Sequence, residues 1–164
     1  MPCHTALISN CLSANPESTV GEIIDLMKKK GAKICIVLDE NKRMLGYFDF
    51  NVLLKNLLPV SLQMQGSTTN AGIVVGAAPG IAKRLKKVKP LAIHQIMERK
   101  FKKLSPNTPV WEGVQMLVEF GSPVFILEDG NDKFVGVMDD SSALEELERI
   151  QTEQGGQESH AVSE

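Results

Sequence analysis

Apolar side chains recur at helical spacing over residues 20–27, and the stripe that they form stops at Gly31. Ser18 or Thr19 stands just before this stripe, and either hydroxyl can cap the first turn of a helix. Glu22 follows Thr19 by three residues, which is the spacing of a capping box. The pattern therefore predicts an amphipathic helix that ends at the glycine.

A hairpin and a second helix are predicted after Gly31. Residues 34–38 and 44–48 are short runs rich in β-formers, and a polar turn separates them. Asp49 stands where an N-cap belongs, ahead of a second apolar stripe. That stripe consists of Val52, Leu53, Leu54, Leu57 and Leu58. With an extended segment over residues 11–14, the predicted order is strand, helix, strand, strand, helix.

The same pattern occurs twice in the chain. A shift of 90 residues, which places Pro106 on Pro16, aligns two segments without a gap. The identical pairs are His4/His94, Pro16/Pro106, Val20/Val110, Glu22/Glu112, Gly31/Gly121, Ile36/Ile126, Asp39/Asp129, Asn41/Asn131, Gly46/Gly136, Asp49/Asp139, Leu54/Leu144 and Leu57/Leu147. A self-match at one fixed period indicates duplication of a unit of about 55 residues.

The second copy carries its own signals. Thr108 takes the cap position, and Pro109 begins a helix that runs to Phe120. Residues 124–127 and 134–138 predict the second hairpin. The predicted fold class is α/β, with two strand-helix-strand-strand-helix units. The units are assigned to residues 1–58 and 91–150, a linker with a basic helix to 59–90, and a polar, disordered tail to 151–164.

Both copies resemble a known domain. The segments that carry the resemblance are 12–20 (LSANPESTV), 30–39 (KGAKICIVLD) and 45–49 (LGYFD), then 103–110 (KLSPNTPV), 121–127 (GSPVFIL) and 135–139 (VGVMD). Their order and spacing are similar to those of the cystathionine-β-synthase (CBS) domain, and the tandem resembles a Bateman module. The resemblance implies two units about a pseudo-twofold axis, adenosine-containing ligands in clefts between units, and homodimers formed through helices.

The ligand motif of that family is altered in both copies. In the family, a Ser or Thr three residues after the last-strand glycine contacts phosphate or ribose, and an Asp three residues further holds the ribose. Asp49 and Asp139 occupy the hydroxyl position here, and Val52 and Ser142 occupy the second position. A carboxylate repels phosphate, and a valine cannot bind a ribose hydroxyl. The alternative interpretation is that Asp49 and Asp139 are only N-caps.

The resemblance places further ligand contacts around the middle strand of each unit and on the first strand of the second. These residues are Lys33, Ile34, Pro123, Val124, Lys102 and Lys103. The last two are point charges that can meet a phosphate at the cleft mouth. A solvated strand face is the alternative interpretation of the same lysines.

Charge is distributed unevenly along the chain. Nine of the eighteen Lys and Arg residues lie within 83–103, whereas residues 128–164 hold eleven acids. A basic block can bind nucleic acid, but the segment 81–89 has no aromatic residue for base stacking, so nucleic acid is a disfavoured partner. The glycines at 76–80 suggest a phosphate-binding loop as a lesser alternative, although no Walker motif is present.

The remaining composition bounds the class of protein. Apolar residues make up 43% of the 164 residues, but no run approaches the length of a membrane span. The first residues lack a basic region followed by a long apolar core, so the expected location is the cytoplasm. Cys3, His4 and Cys11 match no common metal spacing, and free thiols are expected.

No pairing of residues in the sequence predicts catalysis or a required cofactor. The leading hypothesis is a non-enzymatic regulatory module that binds AMP, adenosine, ATP or S-adenosylmethionine and signals to an unknown partner protein. A ligand-free scaffold with degenerate clefts and a nucleic-acid-associated protein are the alternatives. Trp111 lies outside the apolar stripe of its helix, so it is interpreted as a homodimer contact, with local packing as the alternative.

Overall fold

The computed structural model describes residues 3–58 and 71–161, and side chains over 3–58 and 80–155. The strands are β1 (Cys11–Ala14), β2 (Ile34–Leu38), β3 (Met44–Phe48), β4 (Lys102–Leu104), β5 (Val124–Leu127) and β6 (Phe134–Met138). The helices are α1 (Val20–Lys30), α2 (Phe50–Leu57), α3 (Ala71–Val88), α4 (Val110–Phe120) and α5 (Asp140–Ala161). Short 3-10 turns form at Cys3–Thr5 and Ile93–Gln95. The part of the predicted linker at 59–70 lies outside the described residues.

The strands form two three-stranded sheets, in the orders β1-β2-β3 and β4-β5-β6. In each sheet the first pair is parallel and the second pair is an antiparallel hairpin. The predicted order of strand, helix, strand, strand, helix is therefore confirmed in both copies. The chain divides into two compact units: Asn10–Lys100, here called the first unit, and Met1–Ser9 with Phe101–Glu164, the second unit.

The predicted cap of α1 is present. The Glu22 N–H donates to Thr19 Oγ1 at 3.3 Å, and the Thr19 N–H donates to the Glu22 carboxylate at 3.4 Å. Gly31 ends the helix in the left-handed region, with φ of 63°. The helix buries the predicted stripe against its sheet; the buried members are Val20, Ile23, Ile24 and Met27. Apolar periodicity and capping chemistry together therefore determine where α1 begins, where it ends and which face it buries.

The two hairpins are not related by one constant shift. Cys35 pairs with Phe48 across the first hairpin, and Val124 pairs with Met138 across the second. Phe48 and Met138 are 90 residues apart (138 minus 48), but Cys35 and Val124 are 89 apart (124 minus 35). The ungapped alignment is therefore wrong over the middle strands, and Ile34 corresponds structurally to Pro123.

A longer turn in the second hairpin restores the register. The Asp39 N–H donates to the carbonyl of Arg43, whereas the Glu128 N–H donates to that of Lys133. The second turn thus spans one residue more. Because side chains alternate between the two faces of a strand, a one-residue error inverts the predicted orientation of every side chain in it.

Each unit is completed by a short segment that precedes the other sequence repeat. These lead-in segments are residues 93–99, in the first unit, and residues 3–9, in the second. Glu98 exchanges two backbone hydrogen bonds with Tyr47 on β3, at 3.0 and 2.9 Å. In the equivalent place, the Ile8 N–H donates to the Val137 carbonyl on β6 at 2.8 Å.

Glycines on the last strands make room for these segments. Gly46 pairs with Val37, and Gly136 pairs with the equivalent Ile126. A Cβ on Gly46 would lie 2.6 Å from the Glu98 carbonyl oxygen, and a Cβ on Gly136 would lie 2.4 Å from a methyl carbon of Leu7. Close backbone approach therefore explains Gly46, whereas the Leu7 side chain occupies the space beside Gly136.

A polar side chain on the second helix of each unit also contacts the lead-in segment. The Asn56 amide donates to the Ile96 carbonyl at 3.2 Å. Glu146 is the residue 90 positions later, and its buried carboxylate accepts a hydrogen bond from the Thr5 hydroxyl at 2.8 Å. Hydrogen bonding from Arg149 lowers the pKa of Glu146, with a smaller contribution from Thr5 that opposes the effect of burial. Equivalent positions therefore anchor equivalent segments with different chemistry.

Three features differ from their sequence-based predictions. Pro109 is the N-cap residue of α4 and no side chain caps this helix, so the predicted Thr108 cap is wrong. The glycines at 76–80 lie inside α3, so the phosphate-loop alternative is wrong. α5 continues to Ala161, so residues 151–161 are helical where a disordered tail is predicted. Arg149 pairs with Glu146 and Glu153 at the spacings of neighbouring turns, and such pairs stabilise a polar helix.

Candidate functional site

Most of the predicted contacts of the second unit gather at one end of its sheet. Lys102, Val124 and Met138 are cross-strand neighbours in β4, β5 and β6. Pro123 precedes this row and Asp139 follows it. The register therefore brings one lysine, the start of the middle strand and the carboxylate at the start of α5 to the same end of the sheet.

Asp139 caps α5. Its carboxylate accepts from the Ser142 N–H at 2.8 Å. The Ser142 hydroxyl accepts from the Asp139 N–H at 2.9 Å and donates to the Asp139 carbonyl at 3.1 Å. The two side chains thus close a reciprocal cap, and the buried Ser142 hydroxyl has both a donor and an acceptor partner within the protein.

The first unit has a simpler version of this cap. The Asp49 carboxylate accepts from the Val52 N–H at 2.7 Å and caps α2. Val52 and Ile34 are both buried, and Val52 belongs to the core of the unit. Lys33 is exposed and precedes β2. The structure therefore assigns an N-cap role to Asp49 and a packing role to Val52.

The two lysines of β4 have different surroundings. The Lys102 ammonium lies 4.2 Å from the centre of the Phe120 ring, at the end of α4. The Lys103 ammonium pairs with Asp132 in the hairpin turn at 3.1 Å. Consecutive strand residues point to opposite faces, so the two charges do not converge on one point. Lys103 is paired with Asp132, and Lys102 is the lysine placed with Asp139 at the sheet end.

Sequence reasoning did not identify Phe120 and Asp132 as partners of these lysines. Asp132 lies in the turn that the ungapped alignment describes incorrectly. Phe120 is 55% exposed at the end of α4, outside the apolar stripe. An aromatic residue outside the stripe was the available signal, and the same signal singled out Trp111.

α4 and α5 form an apolar groove on the second unit. Its lining residues are Val114, Leu117, Val118, Asp140, Ala143, Leu144 and Leu147. Trp111 and Val118 are 65% and 80% exposed and lie seven residues apart, so they share one face of α4 beside this groove. Leu144 and Leu147 are 57% and 43% exposed on α5. Trp111 therefore belongs to an exposed apolar surface rather than to local packing.

The cysteines lie in apolar surroundings. Cys3 and Cys35 are buried and Cys11 is partly buried, all as free thiols. Burial raises the pKa of Cys35 to about 12, with a smaller contribution from Cys11, and burial also raises the pKa of the other two. A thiol with a raised pKa is a poor nucleophile. Over residues 3–58 and 71–161, no cluster of three or more His, Cys, Asp or Glu residues could hold a metal ion.

The fold and the site define a class. Two copies of one α/β unit, each with a lead-in segment across its last strand and a capped helix at the sheet end, form a tandem module. The family model of the CBS domain matches residues 6–58 and 93–149, which is more than half of the chain. The chain therefore belongs to the CBS-domain family, as a tandem pair. No curated protein matches the sequence significantly.

Solved structures share this fold. The chain is similar to a putative acetoin utilization protein (AcuB) from Vibrio cholerae, with a TM-score of 0.67 and 12% identity over 95% of this chain and 96% of that one. A CBS domain-containing protein of unknown function from Bacillus anthracis has a TM-score of 0.66 and 11% identity over 91% of this chain and 94% of that one. CBSX2 in complex with AMP has a TM-score of 0.65 and 13% identity over 92% of this chain and 98% of that one.

Membership of this family has a general consequence for function. Proteins that consist only of CBS domains are generally regulatory modules rather than enzymes. Within the part of the chain that the structure describes, no helix is both long enough and apolar enough to cross a bilayer.

Proposed function

We propose that the protein is a regulatory module that binds an adenosine-type ligand at the sheet end of the second unit and signals to a partner protein. The observation that carries the proposal is the meeting of Lys102, Pro123 and Asp139 at one end of this sheet. The AMP complex of CBSX2, which has the same fold, supports the choice of ligand class. Lys33, Ile34, Val124 and the other family-derived contacts remain predictions.

The charge of this sheet end favours a ligand with few phosphates. Asp139 contributes a carboxylate where a phosphate would approach, and Lys103 is engaged with Asp132. Lys102 contributes one positive charge at this end of the sheet. A polyphosphate brings several negative charges to the same place, where like charges repel. AMP, adenosine and S-adenosylmethionine therefore suit the site better than ATP.

We expect AMP, adenosine or S-adenosylmethionine to raise the melting temperature more than ATP does in metal-free buffer. Asp139→Thr should shift the preference towards phosphorylated ligands, because it removes the repulsion and keeps a side chain that can cap α5. Isothermal titration calorimetry of the unsubstituted protein and of the Asp139→Thr variant with the four compounds measures this preference.

Asp140→Thr is the matched control, because it makes the same change in charge one residue away from the cap. A shift in preference that is larger for Asp139→Thr than for this control supports the proposed site. Tight metal-free binding of ATP by the unsubstituted chain would contradict the charge argument.

A ligand-free scaffold is the second candidate function, and one observation favours it. Asp49, Asp139 and Ser142 all hold helix N-caps, and Val52 is buried in the core. These side chains therefore have structural partners without a ligand. The absence of any heat or thermal shift with all four adenosine compounds would replace the lead proposal with this one.

We also propose that the module is a homodimer and that the surface around Trp111 forms part of the interface. Trp111→Ala should weaken the dimer by about 2 kcal/mol, or roughly 30-fold in Kd, because buried aromatic anchors carry much of an interface's energy. Sedimentation equilibrium over a range of concentrations measures the change. Phe120→Ala is the control, since this ring lies on another flank of α4. A protein that is monomeric at all concentrations, or a dimer that Trp111→Ala leaves unchanged, would refute the assignment.

A further inference from the structure

The two compact units carry opposite net charges. Residues 10–100 contain fourteen Lys and Arg residues and seven Asp and Glu residues, a formal charge of +7. Residues 1–9 and 101–164 contain four Lys and Arg residues and thirteen Asp and Glu residues, a formal charge of −9. The two values account for the net charge of −2 of the whole chain. The near-neutral total therefore conceals a strongly basic unit and a strongly acidic one.

The helices that present exposed apolar residues repeat this contrast. Leu26, Phe50 and Leu54 are exposed on α1 and α2 of the first unit. These two helices carry four lysines and two acids. α4 and α5 of the second unit, with the exposed groove, carry eight acids and a single cation, Arg149. Each unit thus presents exposed apolar residues on two helices, and the net charges of the two helix pairs have opposite signs.

A closed pair of two-unit chains in which both units make contact has two possible arrangements. Each unit can contact its own counterpart in the other copy, or each unit can contact the unit of the other kind. The first arrangement places +7 against +7 and −9 against −9. The second places opposite charges together at both contacts, and like charges placed together disfavour a wrong pairing.

We propose that two copies associate with unlike units in contact, so that the α1–α2 face of each copy packs on the α4–α5 face of the other. This inference rests on the homodimer proposed above and adds the orientation of the two copies. The occupant of the apolar groove is then the face of a second copy that contains Leu54. Exposed apolar side chains supply the contact area, and the surrounding charges select the partner face.

Cysteines placed at repeat-equivalent positions test the orientation. Leu54 and Leu144 are 59% and 57% exposed and occupy corresponding sites on α2 and α5. Chains with Leu54→Cys and chains with Leu144→Cys are prepared separately, mixed to exchange subunits, and treated with a short bifunctional thiol reagent. The unsubstituted chain is the blank for Cys11, because Cys3 and Cys35 are buried.

Contact between unlike units predicts cross-linked dimers in the mixture. Because random exchange makes half of the dimers mixed, up to about half of the chains should be cross-linked. It predicts none above the blank for either variant alone. Cross-linking of each variant alone would overturn the orientation and leave the homodimer in place. A protein that sediments as a monomer would overturn both proposals.

The salt dependence of dimerisation of the unsubstituted chain is an independent measurement. Screening weakens attraction between opposite charges and relieves repulsion between like charges. With unlike units in contact, Kd should rise as salt increases. A Kd that falls with salt indicates contact between like units and would overturn the proposed orientation without requiring any variant.

Discussion

Gly46→Ala should destabilise the protein by about 2 to 3 kcal/mol, the upper part of the range for overpacking. The new methyl group would lie 2.6 Å from the Glu98 carbonyl oxygen, which is part of the backbone. The lead-in segment must move away, and this movement strains both backbone hydrogen bonds between Glu98 and Tyr47. Urea denaturation measures the loss.

Two matched glycines sharpen this test. Gly136→Ala places its methyl group against the end of the flexible Leu7 side chain, so its cost should be about 1 kcal/mol or less. Gly80→Ala meets nothing within 4 Å inside α3, and it should stabilise the chain by about 0.5 to 1 kcal/mol. Equal losses at Gly46 and Gly136 would contradict the close backbone approach at Gly46.

Phe125→Ala should destabilise the protein by about 3 to 5 kcal/mol, as is usual when a buried phenylalanine is replaced by alanine. Phe125 is fully buried in β5, and its ring makes an edge-to-face contact with Phe101, with 5.3 Å between ring centres. The substitution leaves a cavity beside Phe101, on the face of β5 opposite to Val124. Urea denaturation gives the change in stability.

Phe120→Ala is the control for this prediction, because it makes the same chemical change in the same unit. The Phe120 ring is 55% exposed, and its contact with Lys102 is worth at most about 1 kcal/mol. A smaller loss for Phe125→Ala than for this control would contradict the burial of the Phe125 ring.

Local signals were sufficient to predict most of the fold. The stripe of α1, its capping box and Gly31 lie within one short stretch of sequence, and both hairpins follow from β-rich runs around polar turns. The relation between the copies was harder to predict. Compared with the first copy, the second copy has one residue fewer before β5 and one residue more in the turn after it. The two differences cancel, so identical residues on either side of this region still align at a shift of 90 residues.

The extent of α5 and the position of the lead-in segments could not be predicted from local signals. The polar composition after Gln151 is typical of a disordered segment. The glutamates and glutamines there and the ion pair between Arg149 and Glu153 are nevertheless compatible with a helix. Residues 3–9 and 93–99 carry no strong pattern of their own. Their positions depend on contacts with strands far away in the sequence, such as that between Ile8 and Val137.

The candidate site was predicted only in part. The sequence indicated that Asp49 and Asp139 are N-caps, and the hydrogen bonds of both carboxylates have this form. It did not indicate that Ser142 would return a hydrogen bond to Asp139, or that Lys103 would pair with Asp132. Side-chain pairing depends on register and rotamers, which a spacing argument does not contain.

The exchanged lead-in segments bear on how the chain can be divided. Residues 10–58 obtain their lead-in segment from residues 93–99, and the second sheet obtains its segment from residues 3–9. A fragment cut at the boundary of either sequence repeat would therefore lose the segment that covers its last strand. Neither repeat is a complete compact unit by itself, because the two units are interleaved along the chain.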